Sequence, residues 1–196
     1  MILNLEIKNI IAENLKNFTI DETFSHRAVG DKIENLCSKI VEYQFKERFS
    51  PAKSKRSIED FIIPFEKKYV FYDVKTHHVQ EKAGFSMPNL ISVKRLKKFF
   101  QNKNQSLNYI FVDYKRNKDL VEILDVKVFN ICELDWNNLT IGALGYGQLQ
   151  IKDKNKKFLL TSECQEDWES QLKKRVDLFY KKQICKFEKQ INIWSS

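Results

Sequence analysis

Two aspartates and a lysine, Asp60, Asp73 and Lys75, hold the residue types and spacing that could do chemistry in this 196-residue chain. They lie on or beside two apolar, β-branched and aromatic runs, 58–65 and 69–74, which flank a charged Glu66-Lys67 pair and read as a β-hairpin. Side chains alternate along a strand, so Tyr69 or Val70, Tyr72 and Val74 fill a core face while Phe71, Asp73 and Lys75 share the other. With Glu66 and Lys67 as the turn, counting back along both arms sets Asp60 directly across from Asp73. Facing like charges destabilise a hairpin. A divalent cation between the carboxylates, with an ammonium beside them, offsets that repulsion. Mg²⁺ suits the arrangement, because two carboxylates, the Val74 carbonyl and waters can hold it and still leave room for a phosphate oxygen. An ion held in this way could activate a bound water. Lys75 would orient or deprotonate the attacking water, or stabilise developing charge, and sequence does not choose among these.

Asp60, a gap of 12 residues, then Asp73-Val74-Lys75 resembles the PD-(D/E)xK signature of Mg²⁺-dependent nucleases. Those enzymes carry Pro before the first Asp. This chain has Glu59 there, which leaves Glu59 as an alternative ligand, although the hairpin count favours Asp60. Further on, Asp73-Val74-Lys75-Thr76 followed by Met87-Pro88-Asn89-Leu90-Ile91-Ser92 resembles type II restriction endonucleases of the HincII type and, more distantly, the EcoRV type.

The resemblance implies an α/β fold with a restriction-endonuclease-like central mixed β-sheet flanked by α-helices. It also implies a homodimer cutting double-stranded DNA at a palindromic site, with a cognate methyltransferase acting separately. It makes Glu34, on the helix before the hairpin, a third acid near the metal. It makes the loop 77–89 a DNA contact, with His77, His78, Phe85, Ser86 and Asn89 as its residues. The segment 136–151 then corresponds to a recognition loop and strand in the major groove, with Gly142, Tyr146 and Gln148 reading bases. Related enzymes have an Asn where this chain has Gly142, so its target sequence need not match theirs.

The elements that must position these groups are legible as patterns. Apolar positions over 2–18 predict an amphipathic helix, and a second is predicted over 27–49 with Val29, Ile33, Cys37 and Val41 in its core stripe. Glu34 falls about 100° round from Ile33. The run 49–57 is polar, basic and holds Pro51, so it reads as a surface loop. His77 and His78 are adjacent on a strand and point to opposite faces, which makes them poor joint ligands of one metal. Asn89 could cap a helix carrying Leu90, Ile91, Val93, Leu96 and Phe99, with Lys94, Arg95, Lys97 and Lys98 outward as a cationic face. Strands are predicted over 107–114 and 121–129 around a basic turn at 115–118. A long amphipathic helix is predicted over 165–194. We read 1–196 as a single nuclease domain.

Lys and Arg number 34 against 26 Asp and Glu, a net charge of +8 that favours a polyanionic partner. Hydrophobic residues at 42% exclude a disordered tail. Cys37, Cys132, Cys164 and Cys185 lie far apart without a Cys-x-x-Cys pair, which suggests neither a zinc site nor a disulfide framework. With no signal-peptide pattern and no apolar run of spanning length, the expected location is cytoplasmic. Two alternatives to the restriction enzyme are a structure-specific repair or recombination nuclease and a non-catalytic DNA-binding protein.

Overall fold

The computed structural model describes residues 2–16, 18–21, 23–54, 56–79, 89–142, 147–152, 160–161 and 164–195. They form two compact units, Met1–Ser86 with Phe100–Ile131 and Met87–Phe99 with Cys132–Ser196.

The first unit is built on a six-stranded mixed sheet. It contains α1 (Ile2–Asn14), β1 (Phe18–Thr19), α2 (His26–Phe45), β2 (Ser50–Pro51), β3 (Phe61–Phe65), β4 (Lys68–His78), β6 (Gln105–Asn117) and β7 (Leu120–Asn130). The strand order is β1-β7-β6-β4-β3-β2, with β4 and β6 parallel and every other pair antiparallel. Leu3, Ile7 and Ile11 of α1 and Val29, Ile33, Cys37 and Val41 of α2 close over Val70, Tyr72, Val74, Ile110 and Val112, forming the core. α2 starts where the Ser25 side chain accepts the Ala28 N–H at 3.2 Å and stops before Lys46, whose φ is 44°. It is therefore shorter than the 27–49 expected, and its last predicted turn is the 3-10 segment Lys46–Arg48.

Two further expectations are corrected. Within the presumed loop 49–57, Ser50–Pro51 pairs with Phe61–Ile62 as an edge strand, a position that tolerates a proline because one side needs no donor. The basic turn at 115–118 is instead the end of a longer hairpin. Arg116 pairs with Val121, which is fully buried, and only Lys118-Asp119 turns, with Lys118 at φ 55°. Charge on exposed strand ends mimicked a turn.

The second unit holds β5 (Asn89–Ser92), α3 (Val93–Phe99), β8 (Leu139–Gly142), β9 (Gln148–Ile151) and α4 (Gln165–Ser195). The three strands form an antiparallel sheet in the order β5-β9-β8. Asn89 is thus a strand residue and not a helix cap. Ser92 performs the capping, its hydroxyl accepting the Arg95 N–H at 3.3 Å, and Leu90 and Ile91 lie in β5. α4 is anchored by Trp168, fully buried, whose indole N–H donates to the Leu134 carbonyl at 2.9 Å and whose ring meets Trp136 at 4.7 Å. Among the described residues no helix is long and apolar enough to cross a membrane.

Candidate active site and nucleic-acid interface

The β3–β4 hairpin turns at Glu66-Lys67, with Glu66 at φ 55°, and pairs Phe65 with Lys68 through to Phe61 with Tyr72. That is the register counted from the sequence, and the next residues outward are Asp60 and Asp73. At this point β3 leaves the ladder. The Asp60 N–H donates to the Tyr72 carbonyl at 2.7 Å, while the Asp60 carboxylate accepts the Val74 N–H at 2.7 Å. A side chain has replaced the main-chain acceptor, which fixes the Asp60 carboxyl beside β4. It comes within hydrogen-bonding reach of the Asp73 carboxyl. Of the two acids the sequence offered, Asp60 is the one whose carboxyl lies beside Asp73, and Glu59 next to it is buried.

Alternation along β4 puts Val70, Tyr72 and Val74 in the core, with Asp73 and Lys75 on the other face. The Lys75 ammonium donates to Asp73 at 2.6 Å and lies 3.4 Å from the Val74 carbonyl. Burial pushes the Asp73 carboxyl up to about 7, the Lys75 ammonium pulls it down, and Asp60 pushes it up further. Glu34 is also pushed up to about 7, first by burial, with Lys75 lowering it and Asp60 and Asp73 raising it. It therefore belongs to the same electrostatic cluster. Gly30, one turn earlier on α2, makes this approach possible, because a Cβ there would sit 2.7 Å from the Thr76 hydroxyl of β4.

A divalent cation fits this donor set. The two carboxyls cannot both hold charge cheaply at such proximity, and a metal ion between them would supply the missing positive charge beside the Val74 carbonyl. Among the described residues, no group of three or more His, Cys, Asp or Glu converges closely enough to hold a metal unaided. Asp60, Asp73 and the Val74 carbonyl would be the ligands, with Glu34 outside them.

His77 and His78 point to opposite faces, and both have partners within the first unit. His77 Nδ1 meets Asp113 at 3.0 Å, and Asp113 also accepts from Lys127, which reaches Asp125 at 2.9 Å. Burial would raise the Asp113 carboxyl, but the hydrogen bonds from His77 and Lys127 outweigh it and hold the group below its ordinary value. His78 stacks on His26 at 4.4 Å and tilts against Tyr114 at 5.1 Å.

In the second unit, the β5-β9-β8 pairing gathers polar side chains on one face. Gln150 stands between Asn89 and Thr140, and Gln148 between Ser92 and Gly142, while Leu149 and Ile151 turn into the core. The Gln150 amide donates to the Asn89 side-chain oxygen at 2.5 Å. Gly142 makes room for it, because a Cβ there would lie 2.2 Å from the Gln150 oxygen. The sequence reading set Gly142 and Gln148 on a recognition loop and strand and Asn89 at the end of the separate loop 77–89; it did not single out Gln150, Thr140 or Ser92. The alternation Gln148-Leu149-Gln150-Ile151 carried the signal for Gln150. Lys94 is exposed on α3 with Arg95, Lys97 and Lys98, opposite buried Val93, Leu96 and Phe99. Phe85, Ser86 and Tyr146 lie outside the described residues.

No protein-family profile matches the sequence, and no curated protein is detectably similar to it. Solved structures do match. One is the NlaIV restriction endonuclease, with a TM-score of 0.60 and 16% identity over 87% of this chain and 78% of that one. At that identity the likeness speaks for the fold, and it singles out neither the HincII nor the EcoRV branch. The chain thus folds as a mixed α/β protein, its central sheet flanked by helices in the manner of a restriction endonuclease.

Proposed function

We propose that the protein is a type II restriction endonuclease, hydrolysing phosphodiester bonds at a specific, palindromic site in double-stranded DNA with Mg²⁺ as cofactor. The observation that carries this reading is the Asp60–Asp73 carboxyl pair with the Lys75 ammonium 2.6 Å from Asp73. Mg²⁺, when bound, supplies activation of water and charge neutralisation at the scissile phosphate. Asp60 is held ready by the Val74 N–H, and Asp73 by its place on a buried strand. Lys75, beside Asp73 and the Val74 carbonyl, would orient the attacking water or meet charge developing on the phosphate as an ammonium, or take the water's proton if it is neutral. Glu34 sets the local charge and biases when these groups ionise.

The polar sheet face supports base reading. Gln and Asn amides present a donor and an acceptor together, the pattern that pairs with an adenine edge in the major groove. The cationic face of α3 suits phosphate contact, and a net charge of +8 favours the approach of DNA. A symmetric site cut on both strands calls for two related active sites, hence a homodimer. Such an enzyme acts in the cytoplasm, where a separate methyltransferase protects the host sites.

The test is incubation of the purified chain with plasmid DNA and Mg²⁺, with EDTA as control, followed by sequencing of the ends. Discrete fragments sharing one end sequence support the proposal. Cleavage confined to branched or damaged DNA replaces it with the repair-nuclease reading, and binding without cleavage in Mg²⁺ removes the catalytic role.

A further inference from the structure

α4 changes character along its length. Trp168 and Leu172 are buried, but every residue from Ile184 to Trp194 is exposed, so about three turns of helix project from the second unit. A helical segment of that length is marginal in water without tertiary packing. Its apolar residues are also ordered. Tyr180, Ile184, Phe187, Ile191 and Trp194 follow one another at steps of four, three, four and three, the heptad spacing of a coiled-coil seam. They are 38%, 56%, 53%, 62% and 90% exposed. The seam lies roughly 100° round the helix from Trp168, Leu172 and Phe179, which face the second unit's own packing, and its first member, Tyr180, edges the Phe179 ring at 5.3 Å.

We infer that this seam is a self-association surface, on which α4 of a second copy docks antiparallel. Three observations select that occupant. Four of the five seam residues pair with one another in an antiparallel docking, because Ile184 then meets Phe187 of its twin and Tyr180 meets Ile191, while Trp194 lies beside the twin's Asp177. The flanking charges agree: Lys181 and Glu188 occupy equivalent flanking positions, so antiparallel docking brings each Lys181 to a Glu188 twice over, whereas parallel docking sets Gln183 against Glu188 and forms no ion pair. Finally, with aromatic side chains carrying about 150–250 Å² each, the seam offers on the order of 500 Å² per copy, so two copies reach the roughly 1,000 Å² that a specific interface needs. This inference rests on the dimer proposed above and names the surface that forms it.

The experiment is sedimentation velocity on the full chain across a concentration series, in EDTA and without DNA, so that assembly is read independently of cleavage. Wild type is expected to sediment as a dimer that dissociates on dilution. Ile184→Asp with Ile191→Asp raises the dimer dissociation constant about 100-fold. In a Trp194→Phe background, the near-ultraviolet signal of the Trp136–Trp168 pair stays unchanged, showing that the second unit remains folded. Lys181→Glu and Glu188→Lys each weaken the dimer about fivefold, and the double reversal returns it to within about twofold of wild type. Lys181 also pairs with Asp177 on its own helix at 2.8 Å, which is why recovery in the double variant, and not either single loss, is the decisive reading. A monomer at every concentration, a dimer indifferent to the two aspartates, or charge reversals that fail to rescue one another would each overturn the inference. Aspartate variants that keep the dimer but lose DNA binding would assign the seam to DNA instead. A dimer that assembles as described yet never cuts DNA would leave this surface standing and remove only the nuclease reading.

Discussion

Asp73→Asn should stabilise the metal-free protein at neutral pH while destroying its activity. The Asp73 carboxyl moves from an ordinary 3.8 to about 7 in the fold, so holding it charged there costs on the order of 4 kcal/mol at about 1.36 kcal/mol per pH unit. Water enters this site, where Lys75 is a quarter exposed, and solvates the Asp73 charge in part, leaving about 2 kcal/mol for the substitution to recover. For an acid raised in the folded state, the penalty is absent below 3.8, grows as the pH climbs toward 7 and is complete above it. Thermal melts in EDTA should therefore place Asp73→Asn about 4–8 °C above wild type at pH 8, with most of the gap closed at pH 4.5. Ca²⁺ should raise the wild-type midpoint at pH 8 and leave the Asn variant where it was, because the cation supplies the same relief. A variant melting below wild type at pH 8, or a gap independent of pH, would refute the charge-pair reasoning.

Lys75→Ala should lower the cleavage rate by about 10³-fold or more in single-turnover assays, while DNA affinity in Ca²⁺ changes less than about threefold. Gln150→Ala and Gln148→Ala should relax sequence preference by about 1–3 kcal/mol at one base pair each, read by competition between cognate and single-mismatch duplexes, with the salt dependence of binding unchanged. Asp113→Ala should cost about 2 kcal/mol in denaturant melts, because His77 and Lys127 lose the acceptor they share. Since Asp113 titrates below its ordinary value, that contribution should be present above 3.8 and fade as the pH falls further.

The hairpin was legible because everything that sets it is local. A two-residue turn fixes the register, alternation fixes the faces, and together they bring Asp60 to Asp73 without knowledge of any other strand. Glu34 was visible only as a residue at the edge of a helical stripe, and its place beside the acids depends on how closely α2 approaches β4 at Gly30, a contact between distant segments. Asn89 misled because Asn before a short apolar run is also a helix-start signal, and only pairing with β9, some sixty residues away, makes that run a strand. The edge strand at Ser50–Pro51 and the Asp113 partner of His77 are non-local in the same way. The two-unit organisation follows from contacts between distant parts of the chain, which composition does not reveal.

One strand face separates the structural reading of these acids from the catalytic one. β4 carries two clusters on it, Asp73 with Lys75, and His77 with Asp113 and Lys127 from the neighbouring strands. Both place a largely buried aspartate against a lysine, so burial and an ammonium partner are common to the two. Their carboxyls nevertheless shift in opposite directions. Asp113 collects enough donors to be held ionised, as a group kept for stability should be. Asp73 is pushed the other way, first by its deeper burial and then by the Asp60 carboxyl beside it. A purely structural Asp60 would gain nothing from that position, since its bond to the Val74 N–H could be made equally well by a neutral side chain such as Asn. That repulsion is what the proposed cation would relieve, and the same strand, two residues on from Lys75, carries a lysine–carboxylate cluster whose donors already hold its acid ionised.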